Sequence, residues 1–503
     1  MTAFIGVSTW GVNADGNWST TSNWINSVVA DGVGNTADFS QLNITADRTV
    51  TLDTSRNIGT LKFGDPSGAQ NWIVTNSGGS VLTLNNNSTS PSIVVANTAT
   101  LALPLTGTNG FTKSGTGTLI LSGSNSLSGA FNVDTANTAN NDGIVRVAHP
   151  FAITNVASPI NILDNNTGHS TLQLDGTQGN IFIPQPVNLA GRNANFISIQ
   201  NLSGSNTLAG GFIFTSGGGN YWFDSDAGTL NLSGLIPSSA PSVPNARTLT
   251  FMGAGNFVVS GIISNANGYA VSLVKSNAGA LLLNGINTYT GSTTISGGTL
   301  GGSGTLVSPV TISSGAILSP GNNSLGALTI NNALTNNGTV SIRLNRVGTA
   351  LTNDTIKGVT TLAYGGTLQL VPSGDPITVS NSFKIFYASS FKNYFTNIIP
   401  ATPGTNLLWN TNNLATSGTL AVALGTVTPQ VSHIFLAGTN LVFSGSGGAA
   451  GYNFSIVAAT NLTTAVTNWP VIGSGVCDAN GNFIVTNSLS ATTPAKFYAI
   501  RIP

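Results

Sequence analysis

Short runs of alternating apolar and polar residues recur along this 503-residue chain. In the run TVSIRLN, Val340, Ile342 and Leu344 alternate with polar side chains, and Leu368 and Leu370 lie in a similar run. Clusters of Gly, Asn and Ser separate the runs. A period of two is typical of half-buried β-strands, and Gly, Asn and Ser favour the turns between them. The pattern therefore predicts an all-β chain with almost no helix.

One strand-and-turn unit occurs twice. Residues 111–133 read FTKSGTGTLILSGSNSLSGAFNV, and residues 273–300 read LVKSNAGALLLNGINTYTGSTTISGGTL. Between 113–129 and 275–291, 8 of 17 positions are identical. The apolar positions and the glycines persist, which indicates a structural repeat whose loops vary.

The repeated residues resemble a known family. They are Lys113, Gly117, Leu119, Leu121, Gly123, Asn125 and Gly129 in the first copy, and Lys275, Gly279, Leu281, Leu283, Gly285, Asn287, Tyr289 and Gly291 in the second. This pattern is similar to the autotransporter-associated β-strand repeat, also called the passenger-associated transport repeat. The first copy departs from it at Leu127, where the family prefers Tyr. The resemblance implies a right-handed parallel β-helix.

The repeats and the composition together predict three regions. Residues 1–40 are expected to form an N-terminal strand and capping segment, and residues 41–425 a parallel β-helix (solenoid) with degenerate repeats. Turns of about 22 residues would give about 17 turns in this region. Residues 426–503 are expected to form a small antiparallel β-sandwich-like domain.

The N-terminal segment carries three closely spaced tryptophans, Trp10, Trp18 and Trp24. A solenoid end exposes an open core and unpaired strand edges, so it needs a cap or a partner. We expect these tryptophans to form the cap; stacking on a sugar is the alternative. Phe4, Ile5, Val7 and Trp10 lie in a segment that could be donated as a strand to a neighbouring molecule.

Composition and charge exclude several classes of protein. Charged residues are 6% of the chain and the formal net charge is zero, which argues against nucleic-acid binding. With 40% hydrophobic residues, the chain is not expected to be disordered. A single cysteine, Cys477, precludes an intrachain disulfide, and we expect no membrane span.

The composition favours an extracellular or cell-surface protein. The start, MTAFIGVSTW, lacks the pattern of a signal peptide, so we expect the numbering to begin at the mature chain. In the family, a membrane β-barrel would follow the passenger. We expect none within these residues.

Asp224 and Asp226, in YWFDSDAG, form the best candidate for chemistry. Two residues apart on a strand, they would face one side beside Tyr221 and Trp222, as a catalytic pair or a calcium site. A turn with exposed carboxylates is the alternative that we favour. Asp478 in DANGN, and Asp134 with Asp142, are further calcium candidates for which a turn is again favoured. The three histidines, His149, His169 and His433, show no ligand spacing.

We therefore expect no enzyme and no cofactor. The sequence predicts an extracellular structural rod that assembles head-to-tail with copies of itself into a filament or surface layer. The alternative is a monomeric adhesin that binds surface polysaccharides through exposed aromatics such as Tyr221 and Trp222, with a lyase as a less favoured relative.

Overall fold

The computed structural model describes residues 6–133, 143–153, 158–163, 170–192, 195–237, 246–321, 323–425, 429–448, 451–478, 481–489 and 496–501, except for the side chains of 216 and 217. Contacts divide the chain into two compact units. The first comprises residues 1–375, 383–399 and 412–420, and the second comprises residues 376–382, 400–411 and 421–503.

The first unit is a parallel β-solenoid with three faces, which confirms the predicted fold class. The first face contains Val7–Thr9, Thr36–Phe39, Thr60–Phe63, Ser92–Val95, Phe111–Ser114, Phe131–Val133, Ile160–Ile162, Val187–Gly191 and Phe212–Gly217. It continues through a bridge between Ile236 and Ile263 to Ile286–Asn287, Thr305–Leu306 and Ala327–Ile330.

The second face stacks Gly16–Asn17, Arg48–Leu52, Trp72–Asn76, Thr98–Ala102, Thr118–Leu121, Ile144–Val147, Thr171–Asp175, Ile199–Ser203, Asn220–Ser225, Arg247–Met252, Val271–Lys275, Thr293–Ile295, Val310–Ile312, Leu334–Asn336, Thr355–Ala363 and Phe386–Lys392.

The third face contains Arg56–Ile58, Leu82–Leu84, Leu105–Gly107 and Ser126–Leu127, then Phe182–Ile183, Ser205–Leu208, Thr229–Leu232, Asn256–Val259, Ala280–Leu283, Thr299–Gly302, Ile317–Pro320, Thr339–Val347, Thr367–Gly374 and Asn397–Ile399. Ala350–Asn353 folds back on Thr339–Val347 as an antiparallel hairpin.

Helix is almost absent from the described residues, as predicted. Single 3₁₀ turns occur at Thr21–Asn23, Ile25–Ser27, Gly176–Gln178 and Val466–Asn468, and one α-helical turn at Leu414–Ser417.

The solenoid has about 14 turns, fewer than the about 17 expected from a typical repeat length. The step between paired residues varies from 17 residues, Ile295 to Ile312, to 34 residues, Gly16 to Val50. The assumed average of about 22 residues per turn was too short. Loops of unequal length join the stacked strands, and many turns are longer, such as the step of 27 residues from Leu172 to Ile199.

The interior is built from the apolar residues of the alternating runs. Val340, Ile342, Leu344, Leu368 and Leu370 are all buried, while the residues between them are not. Because side chains on successive strand residues point to opposite faces, one apolar column from each face fills the core.

An aromatic cluster lies at the first turns. Trp10, Trp18 and Trp24 are buried, and each packs against Phe39 with ring centroids 5.4–5.8 Å apart. Phe39 in turn stacks on Phe63 at 5.2 Å. The tryptophans therefore cover the core next to the first turn, as expected of a cap, and their rings are not accessible for sugar stacking.

The second unit contains two small antiparallel sheets. One orders Gln430–Ala437, Asn440–Ser446 and Phe483–Ser488, and the other orders Val471–Val476, Asn453–Ala459 and Phe497–Arg501. Phe454, Ile456, Cys477 and Phe483 form a shared buried core. A third small sheet of the chain orders the strands Ser382–Lys384, Thr419–Leu424 and Leu407–Asn410.

Candidate functional site

The two repeat lysines are fully buried, which is rare for lysine. The Lys113 ammonium group donates to the carbonyl oxygens of Gly115 and Gly117. Lys275 donates to the carbonyls of Ser276 and of Asn277, the latter at 3.0 Å. Burial lowers the pKa of Lys275 to about 8. Each lysine thus satisfies the carbonyls of the turn that follows its own strand.

The repeat asparagines hold successive turns together. Oδ1 of Asn125 accepts from the Leu105 amide at 2.9 Å, and its Nδ2 donates to Ala152 O at 3.0 Å. Oδ1 of Asn287 accepts from the Ile263 amide at 3.0 Å, and its Nδ2 donates to Thr305 O at 3.2 Å. In both repeats one buried amide therefore joins the turn before to the turn after.

The repeat glycines allow a close approach of backbone. A Cβ atom at Gly279 or Gly285 would collide with the carbonyl oxygen of Gly255 or Gly261 on the preceding turn. Gly117, Gly123, Gly129 and Gly291 are crowded by neighbouring backbone in the same way. Leu119, Leu121, Leu281 and Leu283 fill the core. The repeat residues therefore build the fold.

Tyr289 marks a difference between the copies. Its hydroxyl lies 2.6 Å from Oγ1 of Thr293, which lies 2.6 Å from Oγ of Ser308, and all three residues are buried. Burial raises the pKa of Tyr289 to about 12. At the equivalent position, Leu127 needs no such hydroxyl network.

The acidic pair is not an exposed turn. Asp224 lies in the strand Asn220–Ser225 of the second face and is buried, while Asp226 follows the strand and is exposed. Burial first, then the charge of Asp226 and a hydrogen bond between the two carboxyls, raise the pKa of Asp224 to about 6. Asp224 is therefore protonated in mildly acidic solution, at a pH where an ordinary aspartate is ionised.

The aromatic residues beside this pair differ from the prediction. Tyr221 is fully buried in the core and stacks on Phe214 at 3.9 Å, so the prediction of an exposed Tyr221 is wrong. Its position follows from the strand alternation, which turns Tyr221 inward and Trp222 outward. Trp222 is half-buried, and its indole N–H has no hydrogen-bond acceptor in the described structure.

Two ladders of polar side chains run along the outside of the solenoid. On the first face, Asn132 donates to Thr112, Asn161 to Asn132, and Asn188 to Asn161. On the second face, Arg146 donates to Gln173, Gln173 to Gln200, and Gln200 to Asp226 at 2.9 Å. Sequence reasoning missed both ladders, because their members are 20 to 29 residues apart and no local pattern joins them.

The N-terminal segment has a strand with a neighbour on only one side among the described strands. Val7–Thr9 pairs with Thr36–Asp38 on one side, and Val7 is 62% exposed. Trp10 is buried in the cap, so it is not available for donation to a neighbour. Phe4 and Ile5 lie outside the described residues.

The second unit presents a longer exposed edge. Gln430–Ala437 is exposed along its whole length and pairs only with Asn440–Ser446 among the described strands. Ile434 and Leu436 are 59% and 65% exposed. This edge strand, QVSHIFLA, contains no Lys, Arg, Asp, Glu or Pro.

The remaining candidates give no metal site in the described part of the chain, where no three His, Cys, Asp or Glu side chains come together. Asp478 accepts from the Asn482 amide at 2.8 Å and from its side chain at 3.2 Å, so its carboxylate closes a turn. Asp134, Asp142 and His169 lie outside the described residues. None of the described helices has the length and apolar character to cross a bilayer.

The comparisons with known proteins agree with the repeat. The family model of the passenger-associated transport repeat matches residues 111–136 and 273–301. The predicted resemblance is thereby confirmed for these two segments, whose described residues lie in strands and turns of the solenoid. No curated protein matches the chain significantly.

Proposed function

We propose that this chain is a non-catalytic, extracellular structural protein of bacteria whose β-solenoid assembles end to end with further copies of itself. Passenger-type repeats support a location outside the cell or on its surface. A filament or a surface layer would be the product of such an assembly, because a heterologous contact that does not close gives an open chain of molecules.

The observation that carries this proposal is the edge strand Gln430–Ala437. Soluble proteins protect edge strands with lysine, proline, bulges or short length, because an open edge pairs with other chains. This strand has eight residues, no charged side chain and exposed apolar groups at Ile434 and Leu436. Its single break in register lies between Val431 and His433, and the pairing from His433 to the end of the strand is regular. It therefore has the features of a strand that pairs with a partner.

The N-terminal strand Val7–Thr9 is the proposed partner from the neighbouring molecule. Among the described strands it pairs only with Thr36–Phe39, so its other edge can extend a sheet by strand addition. The aromatic cap beside it buries the core next to the first turn. The contact would consist chiefly of backbone hydrogen bonds and apolar side chains, so it should persist at high salt.

Electron microscopy of purified protein tests the proposal. We expect filaments from the natural chain, and single particles from Ile434→Lys and from a variant without residues 1–9. Ile286→Lys is the matched control, because Ile286 is similarly exposed but lies on a solenoid strand. Circular dichroism checks that β-sheet content is retained.

Single particles of the natural chain at every concentration would refute self-assembly. Filaments that form equally well with Ile434→Lys would refute the proposed edge. Protease treatment of intact cells, which should cleave the protein only if it is displayed outside, tests the location separately.

A further inference from the structure

A groove of about 440 Å³ lies on the outer side of the third face of the solenoid. Val258, Leu282, Gly301 and Ser319 follow one another in register across four turns of this face. Gly301 has no side chain, so the outward row is interrupted between Leu282 and Ser319. A Cβ atom at Gly301 would collide with Ser319 O and lie 3.2 Å from Cδ2 of Leu282, so neighbouring atoms already occupy that space. The groove is lined instead by the residues around it, among them Val258, Leu282 and Ser319.

The groove is electrically neutral. Arg343 is its only charged lining residue among those described, and its guanidinium donates to both carboxylate oxygens of Asp354, at 2.7 and 3.1 Å. A further hydrogen bond joins the guanidinium to Pro320 O at 2.7 Å. Because Asp354 is fully buried, this ion pair is a fixed part of the wall, and no net charge remains to attract an ionic ligand.

The lining combines two kinds of group. Val258 and Leu282 supply aliphatic surface, and Thr299, Ser319 and Ser341 supply hydroxyls that both donate and accept hydrogen bonds. A neutral sugar has matching features, with C–H faces for aliphatic contact and hydroxyls for reciprocal hydrogen bonds. The volume lies within the usual range for small-ligand sites.

We propose that this groove binds a short neutral oligosaccharide. The site is separate from the acidic pair and its tryptophan on the second face, to which sequence reasoning had assigned glycan binding. It is also independent of the proposed assembly, since it contains no residue of the edge strand or of the N-terminal strand.

Isothermal titration with maltotriose, cellotriose, xylotriose and chitotriose tests the proposal. We expect at least one to bind the natural chain, with a Kd that changes less than about twofold between 0.05 and 0.5 M NaCl because no charges are involved. Ser319→Trp and Ser341→Trp fill the groove from its solvent side and should weaken binding at least about tenfold. Thr294→Trp, on the outward side of the second face, is the matched control and should bind as the natural chain does.

Absence of binding to all four sugars at millimolar concentration would overturn the proposal, as would binding that survives both tryptophan substitutions. Binding only to charged oligosaccharides, with strong salt dependence, would contradict the assignment to a neutral ligand. Repeating the titration with Ile434→Lys separates the two proposals, because sugar binding should remain when assembly is lost.

Discussion

Asn188 donates a hydrogen bond to Oδ1 of Asn161 over 2.6 Å, but its own side-chain oxygen is buried without a partner. The next residue in register on the first face is Ile213, which has no polar group to offer. The ladder that begins at Ser90 and Thr112 therefore ends on an unsatisfied acceptor, which costs about 1–3 kcal/mol.

Extending this ladder should stabilise the solenoid locally. In Ile213→Asn, the new Nδ2 group can donate to Asn188, and we expect backbone amides of Val187–Gly191 and Phe212–Gly217 to exchange with solvent about two- to tenfold more slowly. Hydrogen exchange read by mass spectrometry measures the effect. Ile213→Asp is the control, since an ionised carboxylate cannot donate a hydrogen bond. Equal slowing of amide exchange in both variants would mean that pairing of the Asn188 oxygen does not cause the slowing.

Lys275 should make stability depend on pH in alkaline solution. Its pKa is lowered by burial to about 8, below the unfolded value near 10.4. Between these values the unfolded chain binds more protons than the folded chain, so stability should rise with pH, by about 1–3 kcal/mol in total. Urea unfolding at pH 7.5 to 10 measures this rise.

Lys275→Met removes the titrating group and should abolish the rise. Lys62→Met, on an outward-facing position of the strand Thr60–Phe63, should leave it unchanged. If stability still rises with pH in Lys275→Met, another titrating group is responsible for the rise.

Asp224 should give stability the opposite pH dependence, a fall with rising pH, and this should occur in acidic solution. Its pKa is raised to about 6, so between pH 4 and 6 the folded chain binds more protons than the unfolded chain. The contribution of Asp224 to stability should therefore be fully present below about pH 4 and be lost as pH rises through 6, by about 1–2 kcal/mol after allowance for solvent screening. Thermal unfolding from pH 4 to 7, compared between the natural chain and Asp224→Asn, should show this loss as a difference between the two profiles. Identical profiles would contradict the raised pKa of Asp224.

The aromatic cap should be needed for the first turns. Trp18 is fully buried, and its indole N–H donates to Ala30 O at 2.9 Å. Trp18→Ala should cost about 3–5 kcal/mol and open the first turns locally, which limited proteolysis would detect as new cleavage before residue 76. Trp222→Ala, at a half-buried outward position, should not open that region, and resistance of both variants would argue against the cap.

The sequence correctly predicted the strands but not always their exposure. Alternation placed Val340, Ile342 and Leu344 in the core, and all three are there. The same rule extended to Leu424 is wrong, since this residue is exposed at the end of its strand. Period-two patterns identify a strand because they reflect local backbone geometry, but burial at a strand end depends on what packs over it.

The environment of the acidic pair could be predicted only in part from the local sequence. The spacing of Asp224 and Asp226 predicted two residues on one side of a strand, but the strand ends at Ser225 and only Asp224 lies in it. The spacing also did not predict the burial of Asp224 or the contact of Asp226 with Gln200 from the preceding turn. Residues 26 positions apart meet only because the turn between them has that length. Turn lengths vary along this solenoid, so no fixed period could have aligned these side chains.

The local pattern of this sequence is enough to predict a stacked parallel solenoid, because its alternation, its glycines and its repeated lysine and asparagine each satisfy a requirement within one turn or between neighbouring turns. Which outward side chains meet across turns could not be predicted in this way. The polar ladders, the groove on the third face and the exposed edge at Gln430–Ala437 depend on the register between strands and on the elements beside them, and both are set by packing between segments that are far apart in the sequence.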